Sequence, residues 1–158
     1  RTCPMKHILT LCIGNICRSP IAEALLKQQF PEKNVWSAGL GALVGNRADP
    51  WSIEVAAAHG LDLSAHRAQQ LASWMCQNAD LILVMDLDNL RVLQETCPAE
   101  HVGKLRRLTD FCVVRRSEVV PDPYFGVHQD FEHVLDLVED ACDGLLRHVR
   151  TRRNASAR

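Results

Sequence analysis

The chain has 158 residues, enough for one domain around a single hydrophobic core. Its formal net charge of −1 gives no electrostatic reason to expect nucleic acid or an anionic membrane surface as a partner. Apolar residues make up 47% of it, yet no apolar run approaches the roughly 20 residues that span a bilayer, so membrane insertion is not expected either.

Residues Arg1 to His7 lead into only a handful of apolar residues and carry no small-residue cleavage site, so a cytoplasmic location is expected. Lys6 to Cys12 reads as a short buried strand. A polar, glycine-containing turn follows, and a helix opens at Ser19-Pro20, with Ser19 as N-cap, and runs to Lys27. A second strand is expected at Val35 to Ala38, then a loop from Gly39 to Pro50, which holds three glycines and a proline. Helices are expected over Trp51 to His59 and from Arg67 to about Cys76. Asp80 to Met85 is the clearest strand, a continuous apolar run suited to a sheet covered on both faces. Asp88 to Thr96 reads as helix and Lys104 to Leu108 as a short strand. Thr109 to Gln129 reads as irregular, and Asp130 to Arg150 as an amphipathic helix with apolar residues at Phe131, Val134, Leu135, Val138, Cys142, Leu145 and Leu146. The arginines near its end (Arg147, Arg150, Arg152, Arg153) suit the helix dipole. Residues 1–6 and 151–158 are expected to be flexible ends of a single domain.

Strands alternating with helices predict an α/β fold with a four-stranded parallel sheet, helices on both faces, and right-handed crossovers. The seven cysteines are odd in number and irregular in spacing, with no Cys-x-x-Cys, so neither a disulfide framework nor a zinc site is expected. Cys3, Cys76, Cys97, Cys112 and Cys142 read as reduced thiols, several of them in the core.

The chemistry concentrates in the first strand–turn–helix unit, Leu11-Cys12-Ile13-Gly14-Asn15-Ile16-Cys17-Arg18-Ser19-Pro20. Its cysteine stands at the end of a strand and its Arg-Ser at the start of a helix, where α/β sheets bind ligands. Backbone amides of Ile13, Gly14, Asn15, Ile16 and Cys17 can curl round an anion, aided by the helix N-terminus, with Gly14 expected to supply backbone freedom. Arg18 offers a planar fork for two phosphate oxygens. These surroundings favour the thiolate of Cys12, which would then face a bound phosphoryl group in line for attack. Ser19 can hydrogen-bond the sulfur and ease its departure. The competing reading is a helix-capping loop in which Cys and Arg fall at this spacing by accident; placement between a strand and a Ser-Pro helix start argues against it. An ester also needs a proton donor for its leaving oxygen. Asp122, between Pro121 and Pro123, is that candidate, and Tyr124 can wall a pocket for a flat ring.

Cys12 to Pro20, Ser37-Ala38-Gly39, Ala65-His66-Arg67-Ala68, Asp80 to Asp86 and Asp122-Pro123-Tyr124, in that order, resemble the low-molecular-weight protein tyrosine phosphatases. The resemblance implies Cys12 as nucleophile, Arg18 as phosphate binder, Asp122 as general acid and then base, and Ser19 as partner of the thiolate. It implies a network of Asn15, Ser37 and His66 holding the phosphate loop; without it, His66 would read as a surface histidine at a helix start. Ser37 to Gly45 resembles the bacterial branch, which implies a phosphotyrosine protein as partner, in particular a tyrosine autokinase of capsule and exopolysaccharide export. Inorganic phosphate is the implied product, with no cofactor and no metal. Leu40 and Leu43 are expected to form the wall facing Tyr124. Cys17 has two readings, a reversible disulfide partner of Cys12 or a small buried apolar side chain. Two rivals share this scaffold. A thioredoxin-coupled arsenate reductase needs further redox cysteines close together, whereas Cys76 and Cys97 stand on opposite sides of the Asp80–Met85 strand in sequence. A non-catalytic phosphotyrosine-binding module would be expected to lack Cys12 or Asp122, and both are present.

Overall fold

A computed structural model describes residues 5–115 and 120–156, without the side chains of Thr96 and residues 153–156. Strand β1 (His7–Cys12) lies between β2 (Asn34–Gly39) and β3 (Leu81–Val84), and β4 (Leu105–Arg107) closes the far edge of an all-parallel sheet in the order β2-β1-β3-β4. The register sets Ile8 beside Val35 on one side and Leu81 on the other, and Leu11 beside Ala38 and Val84.

Side chains alternate across this sheet as the two-residue period of a strand requires. Ile8, Cys12, Val35, Leu81 and Leu83 enter one core; Leu9, Leu11, Ala38, Ile82 and Val84 enter the other. Helices α1 (Arg18–Gln29), α2 (Pro50–Ala58) and α5 (His128–Ser156) cover the first face. Helices α3 (Ser73–Asn78) and α4 (Leu87–Thr96) cover the second. With both faces covered, each fully buried Leu, Ile or Val contributes about 1.5–3 kcal/mol. From β1 the chain crosses outward to β2, and from β3 it crosses the other way to β4. The C-terminal ends of β1 and β3 therefore flank the crevice where the strand order reverses. Among the described residues, no helix is long and apolar enough to cross a membrane.

Several elements depart from expectation. Helix α1 begins at Arg18 with Cys17 as N-cap and no side-chain cap; the Ser19 hydroxyl is engaged elsewhere. Residues 67–72 are not helical. Their backbone pairs with the end of β2 and its following loop: Gly39 N–H donates to Gln69, Leu71 N–H to Gly39, and Ala68 N–H to Asn46. That pairing displaces the helix to Ser73–Asn78. Short 3₁₀ turns form at Ala99–Lys104 and at Leu108–Phe111, where the expected strand ends and the irregular stretch begins, and α5 runs past Arg150 to Ser156. Of the ends expected to be flexible, residues 1–4, 157 and 158 lie outside the described residues. Lys6 is held through its N–H to the Asp80 carboxylate at 2.8 Å.

The cysteines of the described residues are buried free thiols. Cys76 and Cys97, distant in sequence, come together in the fold: burial first, then the Cys97 thiol as neighbour and hydrogen-bond partner, pushes the Cys76 thiol up. Both belong to the core beneath α3 and α4, whereas Cys12 belongs to the opposite one.

Candidate active site

The turn from Cys12 to Arg18 is held from outside by its carbonyls. Leu40 N–H donates to Cys12 O (3.0 Å), Gly41 to Ile13 (2.9 Å), Leu43 to Gly14 (3.1 Å) and Asp49 to Ile16 (2.8 Å). His66 Nε2 donates to Asn15 O at 2.7 Å, and Ser52 Oγ to Cys17 O at 3.1 Å. Every carbonyl from Cys12 through Cys17 is thus bonded to surrounding structure. In a trans peptide the N–H points opposite to the C=O, so the amides of Ile13 through Arg18 face the other way. That side is a pocket lined by Cys12, Ile13, Gly14, Ile16, Cys17, Arg18, Gly41, Leu43, Asp122 and Tyr124. A ring of inward N–H groups beside a helix N-terminus is an anion cradle.

The turn closes through Asn15, not Gly14. Asn15 has φ of 59°, the left-handed region that a side chain resists, and it is fully buried. Its side chain explains how that conformation persists. Gln69 N–H donates to Asn15 Oδ1 (2.9 Å), which fixes the amide orientation, and Nδ2 donates to Ser19 Oγ (2.8 Å) and Ser37 Oγ (3.0 Å). Ser37 in turn donates to Glu23 Oε1 at 2.5 Å. Because Ser19 Oγ accepts from Asn15, its own proton is free to point at Cys12 Sγ, 2.9 Å away. Close approach matters at Gly39 as well: a Cβ there would fall 2.5 Å from Ile13 O.

Arg18 is 1% exposed. Its Nη1 donates to Asp86 Oδ2 at 2.6 Å and to the Val120 carbonyl at 3.0 Å, which engages both protons of that nitrogen. Asp86 accepts from Asn89 N–H through its other oxygen, as the N-cap of α4. The guanidinium plane is therefore set by β3's end and by the acid loop, and its Nη2 lies 3.8 Å from Asp122 Oδ2. Asp122 itself is 47% exposed, and its Oδ1 accepts the Tyr124 N–H at 3.1 Å. Burial, reinforced by Asp49, Cys12 and Asp122 and opposed by Arg18, pushes the Cys17 thiol far up. Cys17 therefore stays protonated, leaving Cys12 as the thiol beside a hydroxyl donor.

The structure brings Cys12, Ile13, Gly14, Ile16, Cys17, Arg18, Asp122 and Tyr124 to one pocket, with Asn15, Ser19, Ser37 and His66 in the network behind it. Leu40 is the exception. Its side chain packs into the core beneath α3 and α4, because β2 hands over to the loop with Leu40 on that face; Gly41 and Leu43 line the pocket with Tyr124 instead. Sequence reasoning gave no role to Asp86, Gln69 or Glu23. For Asp86 the signal was available: an acid at the end of the strand beside β1, close to a buried arginine.

The family model described as low molecular weight phosphotyrosine protein phosphatase matches residues 7–155. The probable low molecular weight protein-tyrosine-phosphatase EpsP of Ralstonia nicotianae is 44% identical over 146 residues, 92% of this chain and 97% of its own. Wzb of Escherichia coli K12, a low molecular weight protein-tyrosine-phosphatase, is 45% identical over 134 residues, 85% of this chain and 88% of its own. The crystal structure of the tyrosine phosphatase Wzb from E. coli K30 in complex with sulfate superposes with a TM-score of 0.84 at 37% identity, covering 92% of this chain and 99% of that one.

Proposed function

Because this chain belongs to the low molecular weight phosphotyrosine protein phosphatase family, and is a protein-tyrosine-phosphatase, we propose that it cleaves phosphotyrosine in two displacements at Cys12. The observation that carries this reading is the meeting of Cys12 Sγ, the inward amides, Arg18 and Asp122 in one pocket. The phosphoryl oxygens lie in the amide cradle, with the Nη2–Nε edge of Arg18, which neither Asp86 nor Val120 engages, gripping two of them. The sulfate bound by the E. coli K30 relative is an oxyanion of the same shape. In the first step the Cys12 thiolate forms an S–P bond as the P–O bond to the tyrosyl oxygen breaks. The Asp122 carboxyl gives that oxygen its proton. In the second step the Asp122 carboxylate takes a proton from water, the water oxygen bonds phosphorus, and the S–P bond breaks to release inorganic phosphate. Ser19 donates to the sulfur in both steps, holding negative charge on it as the thiolate leaves.

The substrate in this reading is a phosphotyrosine protein, in particular a bacterial tyrosine autokinase of polysaccharide export, and the site of action is the cytoplasm. Tyr124 and Leu43, which both line the pocket, give the phenyl ring its apolar contacts. A phosphoserine lacks the ring that the apolar side chains of this pocket would cover. Matched phosphotyrosine, phosphoserine and phosphothreonine peptides test this, with acid quench to trap phosphate on the chain. The expected result is turnover of phosphotyrosine alone and label on Cys12. Equal turnover of all three, or label elsewhere, overturns it. Arsenate reduction has no support from the cysteines, since Cys76 and Cys97 sit across the sheet from Cys12.

A further inference from the structure

Around the mouth of the pocket, apolar side chains stand in solvent. Phe125 is 97% exposed, Val44 68% and Val127 64%. Phe125 meets the ring of Tyr124 edge-on, with centroids 4.8 Å apart and planes at 76°, and Tyr124 lines the pocket. Val44 directly follows Leu43, which lines the pocket too. Scattered apolar residues on a surface need no explanation, but these continue the wall of a binding site. A phenyl ring this bare contributes almost nothing to the core.

We propose that this rim reads the residues on either side of the phosphotyrosine, and that it selects segments carrying apolar side chains there. The proposal rests on the phosphotyrosine reading above. A phosphotyrosine in the pocket is part of a polypeptide, so the residues before and after it must cross the mouth. An extended chain advances about 3.3 Å per residue, which brings the nearest neighbours within reach of Phe125 and Val127, beside Tyr124, and of Val44, beside Leu43. Charge adds to the selection. Asp130 accepts the Val127 N–H at 2.8 Å while standing against Gly126, two residues and one residue after Phe125. An acidic neighbour crossing the Phe125 wall meets the Asp130 carboxylate, whereas an apolar one covers the ring.

The contacts made by flanking residues are the same before and during bond cleavage, so they change KM and leave kcat alone. Covering much of one aromatic ring corresponds to about ten-fold in kcat/KM.

The test is a set of phosphotyrosine peptides of one length, flanked by Leu and Phe, by Ser and Gln, or by Glu, with para-nitrophenyl phosphate as the substrate that has no flanks. The native chain is expected to prefer the apolar peptide by about ten-fold in kcat/KM, through KM, with the acidic peptide poorest. Phe125→Ser and Val44→Ser are expected to flatten that ranking and to leave para-nitrophenyl phosphate turnover unchanged. Equal kcat/KM across the peptides, with para-nitrophenyl phosphate turned over normally, overturns the rim's role. So does a Phe125→Ser variant that loses as much on para-nitrophenyl phosphate as on the apolar peptide, since the ring would then act by positioning the acid loop. Sedimentation showing a native dimer that Phe125→Ser dissociates also overturns it and makes the rim a self-association face. Failure of the native chain on phosphotyrosine peptides and para-nitrophenyl phosphate alike would instead break the reading on which the proposal rests.

Discussion

The Cys12–Arg18 turn and the Val120–Val127 turn face each other across one pocket and are held in opposite ways. In the first, each carbonyl from Cys12 to Cys17 has a partner elsewhere in the fold, and Asn15, Arg18 and Ser19 are buried. In the second, the long-range ties come early: Val120 N–H donates to Met85 O at 2.9 Å, and the Val120 carbonyl accepts from Arg18. Beyond Val120 the bonds are local, Gly126 N–H to Pro123 O at 2.7 Å and the Asx-type contact of Asp122 with Tyr124. An oxyanion cradle works by being in place before charge develops, so it is fastened from every side. A proton donor that must be reset by water works better half exposed.

Removing the nucleophile gives the largest effect. Cys12→Ser should lower kcat on para-nitrophenyl phosphate by about 10⁴-fold or more while inorganic phosphate still binds, as read by calorimetry. Loss of phosphate binding along with turnover would mean that the cradle depends on the sulfur, which the outward carbonyl bonds argue against. Next comes Asp122→Asn, with an expected loss of about 10²–10³-fold, greatest for aryl phosphates whose leaving groups are poor. Since Asp122 has few ties to the fold, its Tm should stay at the native value. An equal loss across leaving groups would remove its role as acid.

Asn15 separates conformation from bonding. Asn15→Gly keeps the left-handed backbone and deletes the side-chain bonds to Ser19, Ser37 and Gln69; Asn15→Ala deletes the bonds and adds strain. Both should lower kcat by about ten-fold or more, because the Ser19 proton is no longer aimed at Cys12, with Asn15→Ala also losing about 1–2 kcal/mol more stability in urea unfolding than Asn15→Gly. If the glycine variant is fully active, strain rather than the network holds the cradle.

These same residues mark what sequence reading reached. Cys12, Arg18 and Ser19 sit within eight positions on one strand–turn–helix, so their convergence follows from local geometry that the letters carry. Asp122 needed chemistry rather than proximity, since it is far along the chain and found by the need for an acid between two prolines. The alternation of strands gave the parallel sheet. What escaped was whatever depends on pairing across the fold. Residues 67–72 have helical composition, but their amides and carbonyls are taken by Gly39 and Asn46, a competition invisible without the neighbour. Glycine was the natural choice for the sharp turn, yet a buried asparagine with three partners takes the left-handed position. Leu40 and Leu43 both lie in the loop after β2, and only the path of that loop puts Leu43 at the pocket and Leu40 in the core.

The smallest effect tests how far the looseness of the acid loop extends. Upstream of it, Asp140 on α5 accepts the amides of Val113 (2.9 Å), Val114 (3.1 Å) and Arg115 (3.0 Å). Burial works against that carboxylate, but these amide bonds, with the Cys112 thiol, outweigh it and hold its pKa below the ordinary value. A group depressed in the folded state stabilises above its unfolded pKa, about 3.9, and loses that contribution as pH falls through the lower folded value. Asp140→Asn should therefore cost about 1 kcal/mol at pH 7, with the gap to the native chain closing as the pH is lowered below about 4. Turnover should not change, because Asp122 takes its direction from Pro121, Pro123 and the Tyr124 amide rather than from residues 113–115. A drop in kcat on poor leaving groups matching the fall in stability would show instead that α5 steers the acid through Arg115, and the two turns would then be fastened alike.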